Sequence, residues 1–470
     1  MAICFYNSLT REKEEFREIA PGRVSFYSCG PTVHDYSHIG NFKTFIVFDL
    51  IKRYLTYRGY RVHHVMNITD VDDNIIGKVR DEETTLKALT ERYTAAFFED
   101  MATLNMLPAD HYPRATDHVP EMVEMIARMI EDGHAYVHDG SVYFSIRSFP
   151  TYGELAQLDV SGLQTGASGV DSDKYDKEDA RDFVLWKAWK PEDGDVFWKT
   201  DLGTGRPGWH MECSCMSIRY LGETIDIHAG AVDLIFPHHQ NEIAQSEAVT
   251  GKRFVNYWLH GAHINVDDEK MSKSLSNFLT VRDIVSSPDD ARAFRYLVVS
   301  NHYRTAFNFS KQVLDAARST MRRLDNFRRR LGEVTRTDGG EDPEPLLEAA
   351  REGFVRHMDD DLNTPRAMSA VFGMVNAVED LIREERLDRD GARGIDDFLD
   401  EIDQVLGVFY TPPGDAREEE LADDLAALIA ERDRARKERN WARADEIRDR
   451  FTEMGYTLED TPEGTVWKRS

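Results

Sequence analysis

Lysine is scarce in this chain. Of its 58 basic residues 16 are lysine and the remaining 42 arginine, against 85 acidic residues, for a net charge of −27. Acid excess with little lysine resembles proteins kept soluble in a salt-loaded cytoplasm. It argues against nucleic-acid binding through bulk charge. Four cysteines in 470 residues are too few for a disulfide framework and fit a reducing compartment. No apolar run is long enough to span a bilayer, and the opening MAICFYNSLTREKEEF lacks the apolar core of a secretory leader. A cytoplasmic protein that meets no membrane is expected. There is no Gly-x-x-x-x-Gly-Lys-[Ser/Thr] run, so no Walker loop holds a nucleotide. Gly203-Thr204-Gly205-Arg206-Pro207-Gly208 spells the dinucleotide fingerprint. However, residues 199–202 are polar and Pro207 interrupts the turn, so the strand and helix that the fingerprint needs are missing.

Hydrophobic residues make up 41% of the chain, ample for the cores of two to four domains. Residues 24–29 read as a strand, 42–57 as a helix with Gly59 as its C-cap, and 62–68 as a second strand, together a β-α-β unit with a parallel crossover. Residues 120–131 read as a helix and 136–146 as a hairpin turning at Asp139-Gly140. Residues 161–177 read as a polar loop. Segments 182–189 and 196–198 lead back to the sheet. A strand at 225–234, a helix at 237–249 closed by Gly251 and a strand at 255–264 follow. Residues 289–409 are helical in pattern, Pro412-Pro413-Gly414 marks a linker, and the tail has a helix from Leu421 and a hairpin around Thr461-Pro462-Glu463-Gly464.

Several residues on this scaffold carry chemistry. Cys29, Cys213, His238 and Glu242 supply two thiolates, an imidazole and a carboxylate, a tetrahedral zinc set. His238 and Glu242 stand four apart, on one face of a helix that Pro237 would open. No ligand spacing matches a zinc finger, so the fold would have to gather them; two buried cysteines and an exposed His/Glu pair is the alternative. Ser37-His38-Ile39-Gly40-Asn41 falls where a strand ends and a helix begins, the place where open α/β sheets bind nucleotide phosphates. Lys270-Met271-Ser272-Lys273-Ser274 has the composition of a loop that clamps polyphosphate, or of a solvated basic turn.

HIGH-type and KMSKS segments in this order resemble class I aminoacyl-tRNA synthetases. CGPTVHDYSHIGN, NITDVDDNII, GRPGWHMECS, DLIFPHHQNEIAQSEA, KMSKSLSNF and MGYTLEDTPEGTVWKR narrow the resemblance to the cysteinyl-tRNA synthetase family. It implies an α/β fold: a Rossmann-like parallel-sheet catalytic domain with an insertion, then a helical bundle and a small C-terminal α+β domain. The expected boundaries are 1–113 for the first catalytic half, 114–200 for the insertion and 201–262 for the second half with the zinc ligands. A KMSKS-containing region at 263–310, the bundle at 311–410 and an anticodon-binding domain at 415–470 complete the chain.

The activity implied is ATP-dependent attachment of L-cysteine to tRNA(Cys) through a cysteinyl-adenylate, with Mg2+ accompanying ATP. His38, Asn41, Lys270 and Lys273 are the catalytic candidates. His34, His38, Asn41, Asp233 and Lys273 are those for ATP and the adenylate, with His34 as a plain loop histidine the alternative. Gly30, Thr32, Thr69 and Trp209 match positions lining the cysteine pocket, and Trp209 also reads as core filler. One zinc per chain on Cys29, Cys213, His238 and Glu242 would select the substrate thiolate over serine's hydroxyl, which pocket shape alone separates poorly. Cys215 reads as a buried filler.

Two departures from the family pattern stand out. Asn41 replaces the second His of HIGH, keeping a neutral donor. Ala229 and Ala231 stand where glycines are usual, and a methyl at Ala231 would narrow the space over the adenylate. Arginines cluster at 318–336 and 432–450. Either stretch is a place for tRNA contact or, since acids such as Glu431, Asp433 and Asp445 interleave the second, a salt-bridged face. Two other readings remain: a cysteine:amino-sugar ligase of the mycothiol pathway, which the residues from 343 onward argue against, and a non-catalytic tRNA- or zinc-binding paralogue.

Overall fold

A computed structural model describes residues 2–158, 182–266, 269–270 and 278–410, and within the tail 428–429, 431–432, 434–436, 440–453, 456–461 and 464–469. The loop expected at 161–177, the linker at 412–414 and Lys273 lie outside the described residues. Two compact units emerge, Met1–Tyr410 and Thr411–Ser470.

The first unit is built on a four-stranded sheet in the order Val255–Gly261, Ile225–Ala231, Arg23–Ser28, Arg61–Met66, parallel throughout. Arg23–Ser28, the helix Ile39–Tyr57 and Arg61–Met66 form the expected β-α-β unit. The helix opens three residues earlier than the apolar pattern suggests because His38 caps it. The His38 ring accepts from Asn41 N–H at 3.0 Å and Asn41 Oδ1 accepts from His38 N–H at 3.2 Å, a reciprocal capping box. This helix is buried nearly all round, as expected for one with neighbours on several sides. Its Asp49 accepts from Arg53 at 2.8 Å and from the fully buried Arg295 at 2.5 Å. Arg295 also donates to the carbonyls of Leu104 and Leu406. Removing one member would strand a buried charge, at about 3–5 kcal/mol.

The insertion is the helix Val119–Glu131 and an antiparallel sheet in the order Ala135–His138, Ser141–Phe144, Phe183–Ala188, Gly203–Pro207, Trp198–Thr200. Asp139 and Gly140 turn the hairpin with φ of 46° and 77°, the two positive values of a type I′ turn. Gly203–Pro207 extends the insertion past the expected boundary at 200. The fingerprint look-alike is therefore a strand. A Cβ on Gly205 would sit 2.1 Å from the Lys187 carbonyl oxygen, so that glycine serves sheet pairing rather than phosphate.

Strand Ile225–Ala231 ends before the expected 234, and the strand expected at 255–264 divides. Its end, Ile264–Val266, joins a separate sheet, pairing with Glu269–Lys270 and Phe307–Phe309. That last strand interrupts the helical region, whose helices are Pro288–Val299, Lys311–Gly332, Glu344–Asp359, Thr364–Arg383 and Arg389–Leu406. Ser287, Ser310, Asn363 and Asp388 cap four of them, each cap contributing about 1 kcal/mol. One apolar core runs from the long signature helix into this bundle.

Along Lys311–Gly332 the arginines are engaged internally: Arg318 with Asp290 and Asp315, Arg322 with Asp289, Arg328 with Asp396 and Asp400, and Arg330 with Glu379. The salt bridging expected of the second arginine stretch is thus present in the first as well. In the second unit the helix Trp441–Glu453 buries Ile447 and Phe451, and Tyr456–Thr461 pairs with Gly464–Arg469. Arg443 meets Glu431 and Glu446 there. Among the described residues no helix is long and apolar enough to cross a membrane.

Candidate active site and metal centre

The carboxyl ends of the parallel strands open into a cleft of about 360 Å³. Cys29 and Gly30 follow one strand, Asn67 and Thr69 the next, and Ala231, Asp233 and Leu234 a third. Thr32 and Thr69 form a parallel bridge, which brings two segments separated by a helix to one wall. Gly30 is needed there, because a Cβ would lie 1.8 Å from the Asn67 carbonyl oxygen. His34, His38, Asn41, Trp209, Cys213 and His238 complete the lining. Ala231 lines the cleft together with Asp233.

Cys29, Cys213, His238 and Glu242 offer donor atoms all within 4.8 Å of one another. The two sulfurs are 4.0 Å apart; at a Zn–S distance of ~2.3 Å a tetrahedral zinc would hold them about 3.8 Å apart. His238 Nε2 stands 3.1 Å from Glu242 Oε1, yet that buried oxygen has no hydrogen bond among the described residues. A buried carboxylate oxygen facing sulfur and nitrogen lone pairs without a proton between them suits a shared cation. The donor set fits zinc.

His238 is not in the first turn of the regular helix. Pro237 stands within a wider turn, Ile235–His239, with Phe236 extended, and the helix proper is Gln240–Thr250. The i,i+4 relation survives, so His238 still faces Glu242.

A second quartet, Cys29, His228, His239 and Glu242, shares two donors with the first. Its histidines are already engaged. His228 Nε2 meets Glu242 Oε2 at 2.8 Å, and His239 meets Cys29 Sγ at 3.2 Å and His260 Nε2 at 2.7 Å, with His260 bonded in turn to Ser8. Cys29, Cys213 and His238 border the cleft, whereas His228 and His239 do not. The second set therefore forms an outer ring that orients the first, as does His210, whose Nδ1 is 2.8 Å from His238 Nδ1. Burial lowers the imidazole pKa of His210, His228 and His260 to about 3 and that of His238 well below the usual range, keeping them neutral. Burial raises both thiols. None of this ring is legible in the sequence beyond the His doublet of FPHHQNE and the His of WHMEC. Cys215 is buried with its thiol pushed up to about 12 by burial, and it belongs to neither quartet.

Among the other residues lining the cleft, Asn41 N–H takes His38 Nδ1 as its acceptor, so a neutral His38 carries its proton on Nε2. Asn41 Oδ1 is committed to the cap, which leaves the amide nitrogen as its outward donor. Lys270 is the last residue of its strand. Past the residues outside the description the chain returns directly onto His38: Thr280 bridges to it, the Leu279 carbonyl accepts from Ile39 N–H at 2.9 Å, and the Phe278 ring lies 5.2 Å from its ring. Trp209 is half-buried with its ring 4.3 Å from that of His238.

Residues 15–319 match the class I (C) tRNA synthetase catalytic domain, 353–410 a DALR domain, and 418–467 the cysteinyl-tRNA ligase anticodon-binding domain. The cysteine–tRNA ligase of Brachyspira hyodysenteriae is 46% identical, covering 99% of both chains. That of Chlamydia muridarum is 44% identical over 100% of both. Among solved structures, Mycobacterium tuberculosis methionyl-tRNA synthetase bound by methionyl-adenylate gives a TM-score of 0.59 at 14% identity, covering 82% of this chain and 90% of that one. The LeuRS-tRNA-LeuAMS ternary complex of Agrobacterium radiobacter gives 0.60 at 11%, covering 84% and 85%. At these identities the likeness speaks for the fold alone.

Proposed function

The chain belongs to the cysteinyl-tRNA synthetase family of class I ligases that aminoacylate tRNA(Cys), and from that premise we propose how its cleft does so. L-cysteine and ATP bind side by side. The cysteine carboxylate attacks the α-phosphate, the bond to the bridging oxygen breaks, and cysteinyl-adenylate and pyrophosphate form. The 3′-terminal adenosine of tRNA(Cys) then takes the cysteinyl group and AMP leaves. One observation carries the reading: a single cleft is lined both by Cys29, Cys213 and His238 and by His34, His38 and Asn41.

His38 Nε2–H and the Asn41 amide donate to phosphate oxygens as charge builds on them, with His34 beside them. Asp233, after its strand, holds the nucleoside. Lys270 and Lys273 neutralise the departing pyrophosphate. Such a reaction is governed by positioning and charge stabilisation more than by covalent participation of the protein. Thr32, Thr69 and Trp209 hold the amino acid, with Gly30 letting backbone approach. Zinc, when bound by Cys29, Cys213, His238 and Glu242, supplies a soft Lewis acid that favours a thiolate over a serine hydroxyl.

Pyrophosphate exchange and tRNA charging test this together. Cysteine-dependent exchange without tRNA, followed by charging of tRNA(Cys), is expected. Exchange without charging would point to transfer onto an amine in place of the tRNA ribose hydroxyl, and absence of exchange would abandon the catalytic reading. Equal exchange with serine would remove thiolate selection.

A further inference from the structure

Behind the cleft wall a directed chain of hydrogen bonds ends on a carboxyl group that the reaction as described does not use. Gly30 N–H donates to Asn67 Oδ1 at 2.9 Å, which orients the Asn67 amide. Its nitrogen therefore faces Thr69 and donates to Thr69 Oγ1 at 3.1 Å. The Thr69 hydroxyl donates in turn to Glu212 Oε2 at 2.7 Å. The Thr69 backbone is fixed on both sides, its N–H held by the Pro31 carbonyl and its own carbonyl by Val33 N–H, and the two side-chain bonds set the direction of the hydroxyl. A hydroxyl has one hydrogen and two lone pairs. Here the hydrogen and one lone pair are committed, and Thr69 lines the cleft with only a lone pair left to offer.

Glu212 is fully buried on the helix Trp209–Leu221. Among the described residues its Oε1 has no hydrogen-bond partner. A carboxyl group kept for packing would have both oxygens satisfied; this one is bonded to Thr69 and leaves the other oxygen idle.

An amino acid whose thiol points toward Cys29 and Cys213 brings two further polar groups, an ammonium that can only donate and a carboxylate that can only accept. We propose that Glu212 is a positioning residue that makes the Thr69 hydroxyl an acceptor for the α-ammonium group of the substrate. The argument rests on the reading of Thr69 as a cysteine-pocket residue. It needs only an accepting oxygen at Glu212, whatever that group's charge.

Two fragments of cysteine test it as competitive inhibitors of pyrophosphate exchange. Cysteamine keeps the ammonium and lacks the carboxylate; 3-mercaptopropionate does the reverse. Glu212→Leu is expected to raise the inhibition constant of cysteamine about tenfold while that of 3-mercaptopropionate stays within about twofold. Glu212→Gln, whose amide oxygen can still accept from Thr69, is expected to restore most of the cysteamine affinity. Glu212→Asp keeps the carboxyl but draws it back from Thr69, so it carries the same test if the leucine variant does not fold. Equal losses for both fragments, or none for either, would overturn the proposal. Thr69→Val separates the two readings: a Thr69 variant neutral toward cysteamine removes the pocket assignment itself. One that loses cysteamine while the Glu212 variants do not removes only the role of Glu212.

Discussion

On the proposed function, His38 and Asn41 do two jobs with different atoms. Their inward atoms cap the helix, and what remains outward is a donor on each. That explains why asparagine can stand in place of a second histidine: the cap needs a short side chain with an acceptor, and phosphate needs a donor. At the candidate metal centre Cys29, His238 and Glu242 are contacted by His239, His210 and His228, which limits how far the rest can move to absorb a change of one ligand atom. Cys213→Ser replaces a soft thiolate with a harder, less acidic oxygen. Zinc content measured on purified protein should fall from about one equivalent per chain to a small fraction of that. A serine variant that retains its full metal complement would take Cys213 out of the set. The four donors are legible in the sequence through the family resemblance, since their residue types alone leave two buried cysteines and an exposed His/Glu pair open; the fold brings them within 4.8 Å of one another. The ring of His210, His228, His239 and His260 is not, since buried histidines follow no spacing rule and His260 finds its partner at Ser8, far away in the chain.

At the level of elements, the strand-helix-strand unit is readable from apolar periodicity and turn residues, because local pattern and tertiary burial agree there. The turn Ile235–His239 is not. Its residues look like the start of a helix, and only packing against the neighbouring strand and helix decides otherwise. Lys270 ends its strand, and Phe278, Leu279 and Thr280 contact the start of the helix that His38 caps; on the proposed function this is the helix end that faces nucleotide. Lys273→Ala should therefore slow adenylate formation by about 10²–10³ while the dissociation constant of cysteine barely changes. Single-turnover kinetics with an unaltered adenylation rate would dismiss the clamp.

For the whole molecule, charge is the dominant variable. With a net charge of −27, like charges repel across a Debye length of about 30 Å at 0.01 M salt but only about 3 Å at 1 M. Melting temperature should rise as KCl is increased from about 0.05 M to about 2 M. A flat or falling curve would mean that the acidity is ordinary. The arginines of the bundle helix bear on the same balance. Since they pair with Asp290, Asp396, Asp400 and Glu379, they offset local acid crowding and leave less positive surface for phosphate. The tail helix holds comparable pairs at Arg443 and Arg448. Recognition of tRNA is then expected to lean on shape, stacking and base contacts more than on bulk charge.

Residue order alone was enough for the class of fold, the family and the chemical types at the site, because motif identity, hydrophobic period and turn chemistry are local properties of the chain. It could not say that Gly203–Pro207 belongs to the insertion sheet, that His238 sits in a wide turn, or that Thr69 is tied to Glu212, 143 positions onward. Those facts depend on which distant groups share a buried volume. In such a volume every polar atom must find a partner, and the partner is chosen by proximity in space, which local pattern does not encode.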